Sequence, residues 1–429
     1  MSVAELKEPR LREPRLLEPK LSGEWPRKRR LSVDHWLAGA TLVLLILGLV
    51  MVGSASVSLS EKQMGEPFYF FWRQSAYVCA GLILAWLVFH VPIAVWEKIN
   101  PALLMLGSVL LILVLVLGRE INGSTRWISL GPVNLQPSEL MKLFVVMFLA
   151  GYLERRGEEV RTSVKGFLKP MMLLSLIAIL LLLEPDFGAA FVIAITALGM
   201  MFIGGVRLRQ FAALLLMLGA AFSVVAYSAP YRVERLTCFL NPWADPFNCG
   251  FQLTQSLIAF GRGEWLGVGL GGSIQKLFYL PEAHTDFLFA VLAEELGLVG
   301  GLVVIVLFGV ISFRALYIGR VAFAAGNIYA GFLAFGLGLL IGFQALINIG
   351  VNMGLLPTKG LTLPLMSYGG SSIVVTCMSC AILLRILAEN NQYAGSSNGG
   401  GAHSGRRSAH SGRGSAHSGR GSAHNGGRR

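Results

Sequence analysis

The chain has 429 residues, of which 54% are hydrophobic and only 14% are charged, and its formal net charge is +12. A soluble domain has about 25% charged residues, so most of this chain is expected to lie in lipid. The apolar stretches show little two-residue alternation, which argues for helices and against a membrane β-barrel. No aromatic residues interleave the basic ones, so we expect attraction to anionic lipid and no nucleic-acid partner.

Basic tails flank the apolar region at both ends. Residues 1–34 carry nine Lys or Arg and six Asp or Glu, and residues 392–429 carry six Arg and no acid. The positive-inside rule then predicts both termini in the cytoplasm and an even number of spans. Repeated Glu-Pro pairs in the first tail and the Gly, Ser, His and Arg of the last predict disordered segments over residues 1–34 and 391–429.

Between the tails, residues 35–390 predict an all-α polytopic membrane domain. We expect about ten spans of roughly 20 residues each. Their approximate positions are 36–57, 70–90, 101–118, 138–153, 170–184, 187–204, 211–229, 287–311, 327–347 and 368–388. A large loop, residues 230–285, separates predicted spans seven and eight and is expected outside the cell. Within this loop, residues 252–260 and 274–280 are interpreted as short amphipathic helices on the bilayer surface.

The cysteines give two expectations. Cys238 and Cys249 share the large loop and would form a disulfide if that loop is outside, which the sequence alone leaves open. Cys377 and Cys380 form a C-x-x-C inside an apolar run without a second pair. They are expected to be small buried side chains and not a metal or redox site.

Asp286 lies where the large loop meets the eighth predicted span. It could cap that helix, whose dipole would keep it ionised and weaken it as a base. It could equally act as a general base on a substrate held at the membrane surface. Glu139 and Lys142, three residues apart, suit either a local ion pair or part of a site. Ionisable residues near the bilayer are candidates for function by default.

Six segments together resemble the SEDS family of membrane proteins. They are residues 122–132 (NGSTRWISLGP), 136–142 (QPSELMK), 184–188 (EPDFG), 241–246 (NPWADP), 280–289 (LPEAHTDFLF) and 357–372 (PTKGLTLPLMSYGGSS). The resemblance spans residues 35–390 and leaves out both tails. The run 358–363 is closer to the cell-division branch of the family than to the elongation branch.

The resemblance implies a ten-helix SEDS fold and a peptidoglycan glycosyltransferase that polymerises lipid II at the division septum of the bacterial inner membrane. Asp286 matches the family's essential aspartate, which implies an inverting reaction with Asp286 as the base. Arg126 and Trp127 carry over from the first outer motif and Lys359 from the last. Further polar residues expected to bind substrate are Arg232, Arg235, Glu282, His284, Ser367 and Ser371. Whether a divalent cation such as Mg²⁺ or Mn²⁺ assists the Arg and Lys residues stays open.

The implied ligands are lipid II, the polyprenyl-pyrophosphate glycan and membrane lipid. The implied protein partners are a class B penicillin-binding protein (an FtsI-like transpeptidase) and other divisome proteins, with contact through lipid-facing helix surfaces. A rival hypothesis is a lipid II flippase, since Glu184, Gln344 and Asn348 also suit a translocation path. A structural scaffold is a third hypothesis, and it would predict normal division without Asp286. The polar groups gather outside and no internal repeat is clear, which favours the enzyme.

Overall fold

Long apolar helices make up most of the chain. The computed structural model describes residues 34–121, 124–131, 133–213, 216, 219–220, 238–358 and 360–404. The helices are α1 (His35–Met64), α2 (Tyr69–His90), α3 (Ile93–Leu117), α4 (Pro137–Thr162), α5 (Val164–Leu183), α6 (Phe187–Ile203), α7 (Phe251–Gly263), α8 (Leu288–Ala324), α9 (Ile328–Asn352) and α10 (Gly370–Ser404), with a short 3₁₀ helix at Pro242–Ala244. The strands are β1 (Arg119–Ile121), β2 (Ser124–Leu130) and β3 (Val133–Leu135).

The helices confirm the prediction of a polytopic membrane protein. In the described part of the chain, 7 helices are long and apolar enough to cross a membrane, namely α1, α2, α3, α5, α8, α9 and α10. The apolar helix α6 is shorter, and α4 carries charged residues near both of its ends. These helices coincide with predicted spans one to six and eight to ten.

Several predictions fall on residues that the structure does not describe. Most of the seventh predicted span lies among them, as do residues 1–33 and 405–429 of the predicted tails. The last helix continues to Ser404, past residue 391, where the sequence predicts that the tail begins.

Helix ends follow from local polar chemistry. Asp34 accepts hydrogen bonds from the main-chain N–H groups of Trp36 and Leu37 and so caps α1. That helix ends at Gly65, whose φ of 73° lies in the left-handed region that glycine adopts without steric cost. The side chain of Asn327 caps α9 in the same way by accepting from the N–H of Ala330. These caps satisfy main-chain groups that the helix itself leaves unpaired.

A small antiparallel sheet connects α3 to α4. Strand order is β1-β2-β3, with Glu120 opposite Thr125 and Ser129 opposite Asn134. The sequence analysis predicted no strand here, although β2 has 7 residues; its partners β1 and β3 have 3 residues each, too few to show alternation. The sheet matters for function because β2 carries Arg126 and Trp127.

Helix α9 is the most enclosed part of the membrane domain, together with α10. In each of these two helices, 72% of the apolar 18-residue stretch that could cross the membrane is buried inside the protein. The same fraction is 28% in α8 and 22% in α2. Glycines let neighbouring helices approach closely. A Cβ at Gly336 would lie 2.6 Å from Val146 of α4, and one at Gly338 would lie 2.7 Å from Ala315 of α8. Polar side chains on α9 are therefore held in a close-packed setting.

Helix α8 is interrupted at Gly297, where φ is 66° and ψ is −166°. The segment after α7 repairs the break with main-chain hydrogen bonds. The N–H groups of Val268 and Gly269 donate to the carbonyls of Glu294 and Glu295, both at 3.0 Å. On the other side of the break, the N–H groups of Leu298 and Val299 donate to the carbonyls of Glu264 and Trp265, at 2.9 and 3.2 Å. The loop thus supplies partners that the interrupted helix lacks.

Two buried carboxylates fix the rest of this loop. Glu294 accepts from Arg262 at 2.6 Å and from the N–H of Ile274 at 3.1 Å, and Glu295 accepts from Lys276 at 2.9 Å. The predicted helix at residues 274–280 is wrong, since this segment consists of turns. Its main-chain N–H groups turn toward Glu294, and a positive φ of 69° at Phe278 is incompatible with a continuing helix. The other predicted segment, residues 252–260, is helical as expected and lies within α7, while its position on the bilayer surface stays a prediction.

Candidate active site

Asp286 lies in a tight turn immediately before α8. The N–H groups of Thr285 and Phe287 both donate to the carbonyl oxygen of Glu282, at 3.1 and 3.2 Å. The N-cap of α8 is Phe287, and no side chain caps the helix there. The interpretation of Asp286 as a helix cap is therefore wrong. Its carboxyl group is therefore not used as a helix cap and could accept a proton from a substrate.

The surroundings of Asp286 make it a better base than the sequence suggests. Burial, and then the nearby carboxylate of Glu282, raise the pKa of Asp286 to about 7, while Arg126 opposes the shift and Asp186 adds to it. In the sequence analysis, the dipole of α8 would keep this group ionised if Asp286 capped the helix. Because the side chain does not engage the helix N-terminus, burial dominates instead. A pKa near neutrality suits a general base.

Arg126 and Asp286 meet across Gly360. A Cβ at Gly360 would lie 3.3 Å from Oδ2 of Asp286 and 3.8 Å from Nη1 of Arg126. The guanidinium also donates from Nε to the carbonyl of Glu184 at 3.4 Å and from Nη2 to the carbonyl of Pro185. Three segments thus meet beside the carboxyl group of Asp286. They are strand β2, the α5–α6 connection and the segment before α10.

Glu184, whose carbonyl accepts from Arg126, has a fully buried carboxyl group. Neither of its carboxyl oxygens has a hydrogen-bond partner among the described residues. Burial, and then the neighbouring Asp186, raise the pKa of Glu184 to about 8, against the opposing effect of Arg126. The group is therefore neutral at pH 7, as expected for a buried carboxyl without a partner.

Asp186 joins the starts of two helices. It accepts from Ser138 Oγ at 2.8 Å and from Gln136 Nε2 at 3.3 Å, both at the start of α4. Its other oxygen accepts from the N–H of Ala189 at 3.1 Å and caps α6. The N-cap position of α4 is Gln136, so Ser138 does not cap that helix. Ser138 instead fixes Asp186 near Arg126 and Asp286.

His284 packs the Asp286 turn against α2 and the start of α10. Its ring forms a three-membered cluster with those of Phe70 and Tyr368, whose centroids lie 5.0 and 5.5 Å from it and 5.2 Å from each other. Its carbonyl oxygen accepts from the N–H of Tyr368 at 3.0 Å. Burial lowers the pKa of His284, with Glu282 opposing that change. The ring is therefore a neutral packing surface beside the site.

The sequence analysis missed Arg73 on α2. Its guanidinium donates to Tyr69 Oη at 3.2 Å and Tyr77 Oη at 2.9 Å. Arg73 belongs to the same helix face as Phe70, which packs on His284. The signal was available in the sequence, because tyrosines at i−4 and i+4 around an arginine share one helix face.

The other predicted site residues occupy different positions. Glu282 is exposed and accepts from Thr285 Oγ1 at 2.7 Å, and Trp127 is half-buried on β2. Ser367 and Ser371 are buried and fix main chain: Ser367 Oγ accepts from the N–H of Leu363 at 2.9 Å, and Ser371 Oγ accepts from the N–H of Gln136 at 3.0 Å. The predicted residues Arg232, Arg235 and Lys359 lie outside the described residues.

Lys142 forms the predicted ion pair with Glu139. Its Nζ lies 2.8 Å from Glu139 Oε2, and it also donates to Gln344 Oε1 of α9 at 2.7 Å. All three side chains are buried. Gln344 in turn donates to the carbonyl of Thr362 at 3.1 Å. The pair therefore connects α4, α9 and the segment before α10.

The described residues contain no cluster of side chains that could coordinate a metal ion. No group of three or more His, Cys, Asp or Glu side chains in that part of the chain is arranged to hold a metal ion. Divalent cations such as Mg²⁺ bind through carboxylate and other oxygen ligands. We therefore derive no step through a divalent cation.

Comparisons with known proteins agree over nearly the whole membrane domain. A model of the cell cycle protein family of FtsW, RodA and SpoVE matches residues 35–392. A protein of Nitrosococcus halophilus (strain Nc4), named a probable peptidoglycan glycosyltransferase FtsW, is 59% identical over 355 residues, covering 82% of this chain and 92% of that protein. The protein of the same name from Legionella pneumophila (strain Philadelphia 1) is 53% identical over 369 residues, covering 85% and 93%.

Solved structures with the same fold are also similar in sequence. A chain from work on structural coordination of polymerization and crosslinking by a peptidoglycan synthase complex has a TM-score of 0.71 at 32% identity, covering 84% of this chain and 99% of that one. The rod shape determining protein RodA of Thermus thermophilus has a TM-score of 0.62 at 29% identity, covering 84% and 98%.

Proposed function

The chain belongs to the cell cycle protein family of FtsW, RodA and SpoVE, and we propose that it polymerises lipid II into septal glycan with Asp286 as the general base. It is a membrane-embedded peptidoglycan glycosyltransferase, like the relatives that share more than half of its residues over the matched region. The substrate is already anchored in the membrane, so no nucleotide-sugar domain is required.

The reaction is a direct displacement. Asp286 takes the proton from the GlcNAc 4-hydroxyl of the acceptor lipid II. That oxygen attacks the anomeric carbon of the donor glycan, and the bond from this carbon to the pyrophosphate oxygen breaks with its electron pair on the leaving group. One attack converts an α-linked donor into a β-linked product. A single base and a stabilised leaving group are sufficient for this inversion.

The observation that carries the proposal is the convergence of Asp286 and Arg126 on Gly360. Within the described residues, the hydrogen bonds of Arg126 go to neutral carbonyl oxygens, which do not neutralise its positive charge. A guanidinium in this position can stabilise the charge that develops on the departing pyrophosphate. The Asp286 carboxyl oxygen and the Arg126 guanidinium nitrogen therefore both lie within 4 Å of one point beside Gly360.

The location and the partners follow from the same premise. The disulfide between Cys238 and Cys249 in the large loop supports an exterior, oxidising location for that loop. With both termini cytoplasmic, Asp286 then faces the side where lipid II sugars are displayed. The similarity to a chain from a peptidoglycan synthase complex supports a crosslinking partner. We expect a class B penicillin-binding protein and other divisome proteins at the septum.

The structure supports the flippase hypothesis less than it supports the enzyme. Gln344 is bonded to Lys142 and to the carbonyl of Thr362, and Asn348 is bonded to the carbonyls of Asp286 and Leu361. These two amides of the suggested translocation path are therefore engaged in internal hydrogen bonds. They serve the packing of the site.

Polymerisation by the purified full chain tests the proposal. The protein, alone and co-purified with a co-expressed class B penicillin-binding protein, is incubated with fluorescent lipid II in detergent, where no membrane has to be crossed. We expect a ladder of glycan strands from the wild type. No polymer from the complex, together with transfer of lipid II across vesicle membranes, would establish the flippase instead.

A further inference from the structure

We propose that Asn348 and Asn352 of α9 are positioning residues that hold Asp286 outside α8 and align it with the Gly360 segment. The inference rests on the proposed role of Asp286 as the base. Both asparagines donate from Nδ2 to the main-chain carbonyl oxygen of Asp286, at 2.9 and 3.0 Å. They are four residues apart, so they lie on one face of α9.

Asn352 takes the place of a hydrogen bond that would extend α8 by one residue at its start. In a continuous helix, the N–H of Ala290 would donate to the carbonyl of Asp286 four residues earlier. Here the N–H of Ala290 is shared between Asn352 Oδ1 and the carbonyl of Phe287, both at 3.1 Å, while Asn352 Nδ2 donates to the carbonyl of Asp286. One side-chain amide is thus inserted between the two main-chain groups. Asp286 consequently stays out of the helix and does not cap it.

Asn348 connects Asp286 to the segment on the other side of the site. Its Nδ2 also donates to the carbonyl of Leu361 at 2.5 Å. Leu361 follows Gly360, the glycine beside which the Asp286 carboxyl group and Arg126 both lie. One amide therefore fixes the separation between the turn that carries the base and the backbone beside the cation.

The two amides have little freedom to move. Asn348 and Asn352 are almost fully buried, and Asn352 Nδ2 also donates to the carbonyl of Asn348 at 2.9 Å. The carbonyl of Asn352 accepts from Ser256 Oγ of α7 at 2.7 Å. A buried amide with its donors engaged is costly to rearrange. This network therefore holds the main chain of Asp286 rigidly without touching its carboxyl group.

Lipid II polymerisation by single variants tests the proposal. Asn348→Ala and Asn352→Ala remove the donors and add no charge. A displacement of about 1 Å in a catalytic group can reduce the rate about 10²-fold. We expect the rate at saturating lipid II to fall about 10- to 100-fold, with the half-saturating lipid II concentration changed less than about twofold. Asn348→Gln, which keeps the donor, is expected to recover part of the rate.

Asn327→Ala is the matched control on the same helix. It removes the cap of α9 at the end away from Asn352, so it lowers stability without altering the Asp286 turn. Its rate is expected to be unchanged. An equal fall in rate in Asn327→Ala, or normal rates in both Asn348→Ala and Asn352→Ala, would overturn the positioning role. A changed half-saturating concentration with a normal maximal rate would also overturn it.

Asp286→Asn separates this inference from the proposed function. If Asp286→Asn is inactive while Asn348→Ala and Asn352→Ala are fully active, only the positioning role fails. If Asp286→Asn is as active as the wild type, the assignment of the base itself fails.

Discussion

Arg126 donates a hydrogen bond to the main chain of Glu184 and none to the carboxyl group of that residue. The guanidinium donates to the carbonyl oxygen of Glu184, while both carboxyl oxygens of Glu184 are buried without a partner in the described part of the chain. Such a carboxyl group is neutral in the folded protein and ionised in the unfolded one at pH 7. Folding stability must therefore depend on pH through this residue.

Glu184→Gln should remove that dependence. The pKa of Glu184 is raised to about 8 by burial, so its contribution to stability is fully present below its unfolded pKa of about 4.3. The contribution falls as pH rises toward 8 and is constant above that. Relative to the variant, the wild type should lose thermal stability between pH 5 and 8. Melting curves in detergent at several pH values measure this, and parallel curves would contradict it.

Asp286→Asn should abolish polymerisation while the protein folds normally. The change keeps the shape of the side chain and removes its basicity. The expected loss is the roughly 10²- to 10⁴-fold typical of a missing general base. Glu282→Gln, which removes the other carboxylate of the same turn, should reduce the rate much less than Asp286→Asn. A well-folded Asp286→Asn protein with the wild-type rate would make Glu282 the next candidate for the base.

The pH–rate profile should report the ionisation of Asp286. A base must be deprotonated, so the rate should rise with pH and level off above about 7, the raised pKa of Asp286. Glu282 raises this pKa and Arg126 lowers it. Glu282→Gln should therefore shift the midpoint to lower pH, and Arg126→Gln should shift it to higher pH. Shifts in the same direction would show that another group controls the profile.

Lys142→Met should destabilise the membrane domain. The change leaves Glu139 buried and Gln344 without the donor to its Oε1. Breaking a buried ion pair from one side costs about 3–5 kcal/mol of unfolding free energy. The double variant Lys142→Met, Glu139→Gln should recover much of that loss. Thermal unfolding in detergent distinguishes the cases, and a single variant as stable as the wild type would show that the pair is not stabilising.

The large loop should lie on the opposite side of the membrane from the C-terminal tail. Reporter fusions at Gly250 and Gly400 should therefore report different compartments. Because Cys238 and Cys249 are disulfide-bonded, thiol labelling of cells should modify them only after reduction. Labelling without reductant, or the same compartment for both fusions, would refute the topology.

Hydropathy and charge spacing predicted the parts of this structure that depend on local sequence. The helices, the position of Asp286 before α8 and the Glu139–Lys142 pair all follow from patterns within a few residues. The convergence at Gly360 does not, because it joins segments far apart in the chain. The turns at residues 274–280 were misjudged as a helix for a similar reason, since their N–H groups bond to Glu294 in another element.

The repair of α8 at Gly297 has a consequence for chimeric proteins. Because the segment after α7 supplies hydrogen-bond partners on both sides of the break, neither piece is complete alone. A graft of the loop from a relative into this chain would leave main-chain groups unpaired unless α8 came with it. Residues 262–300 should therefore be exchanged as one cassette, and boundaries placed inside that range should give poorly expressed proteins.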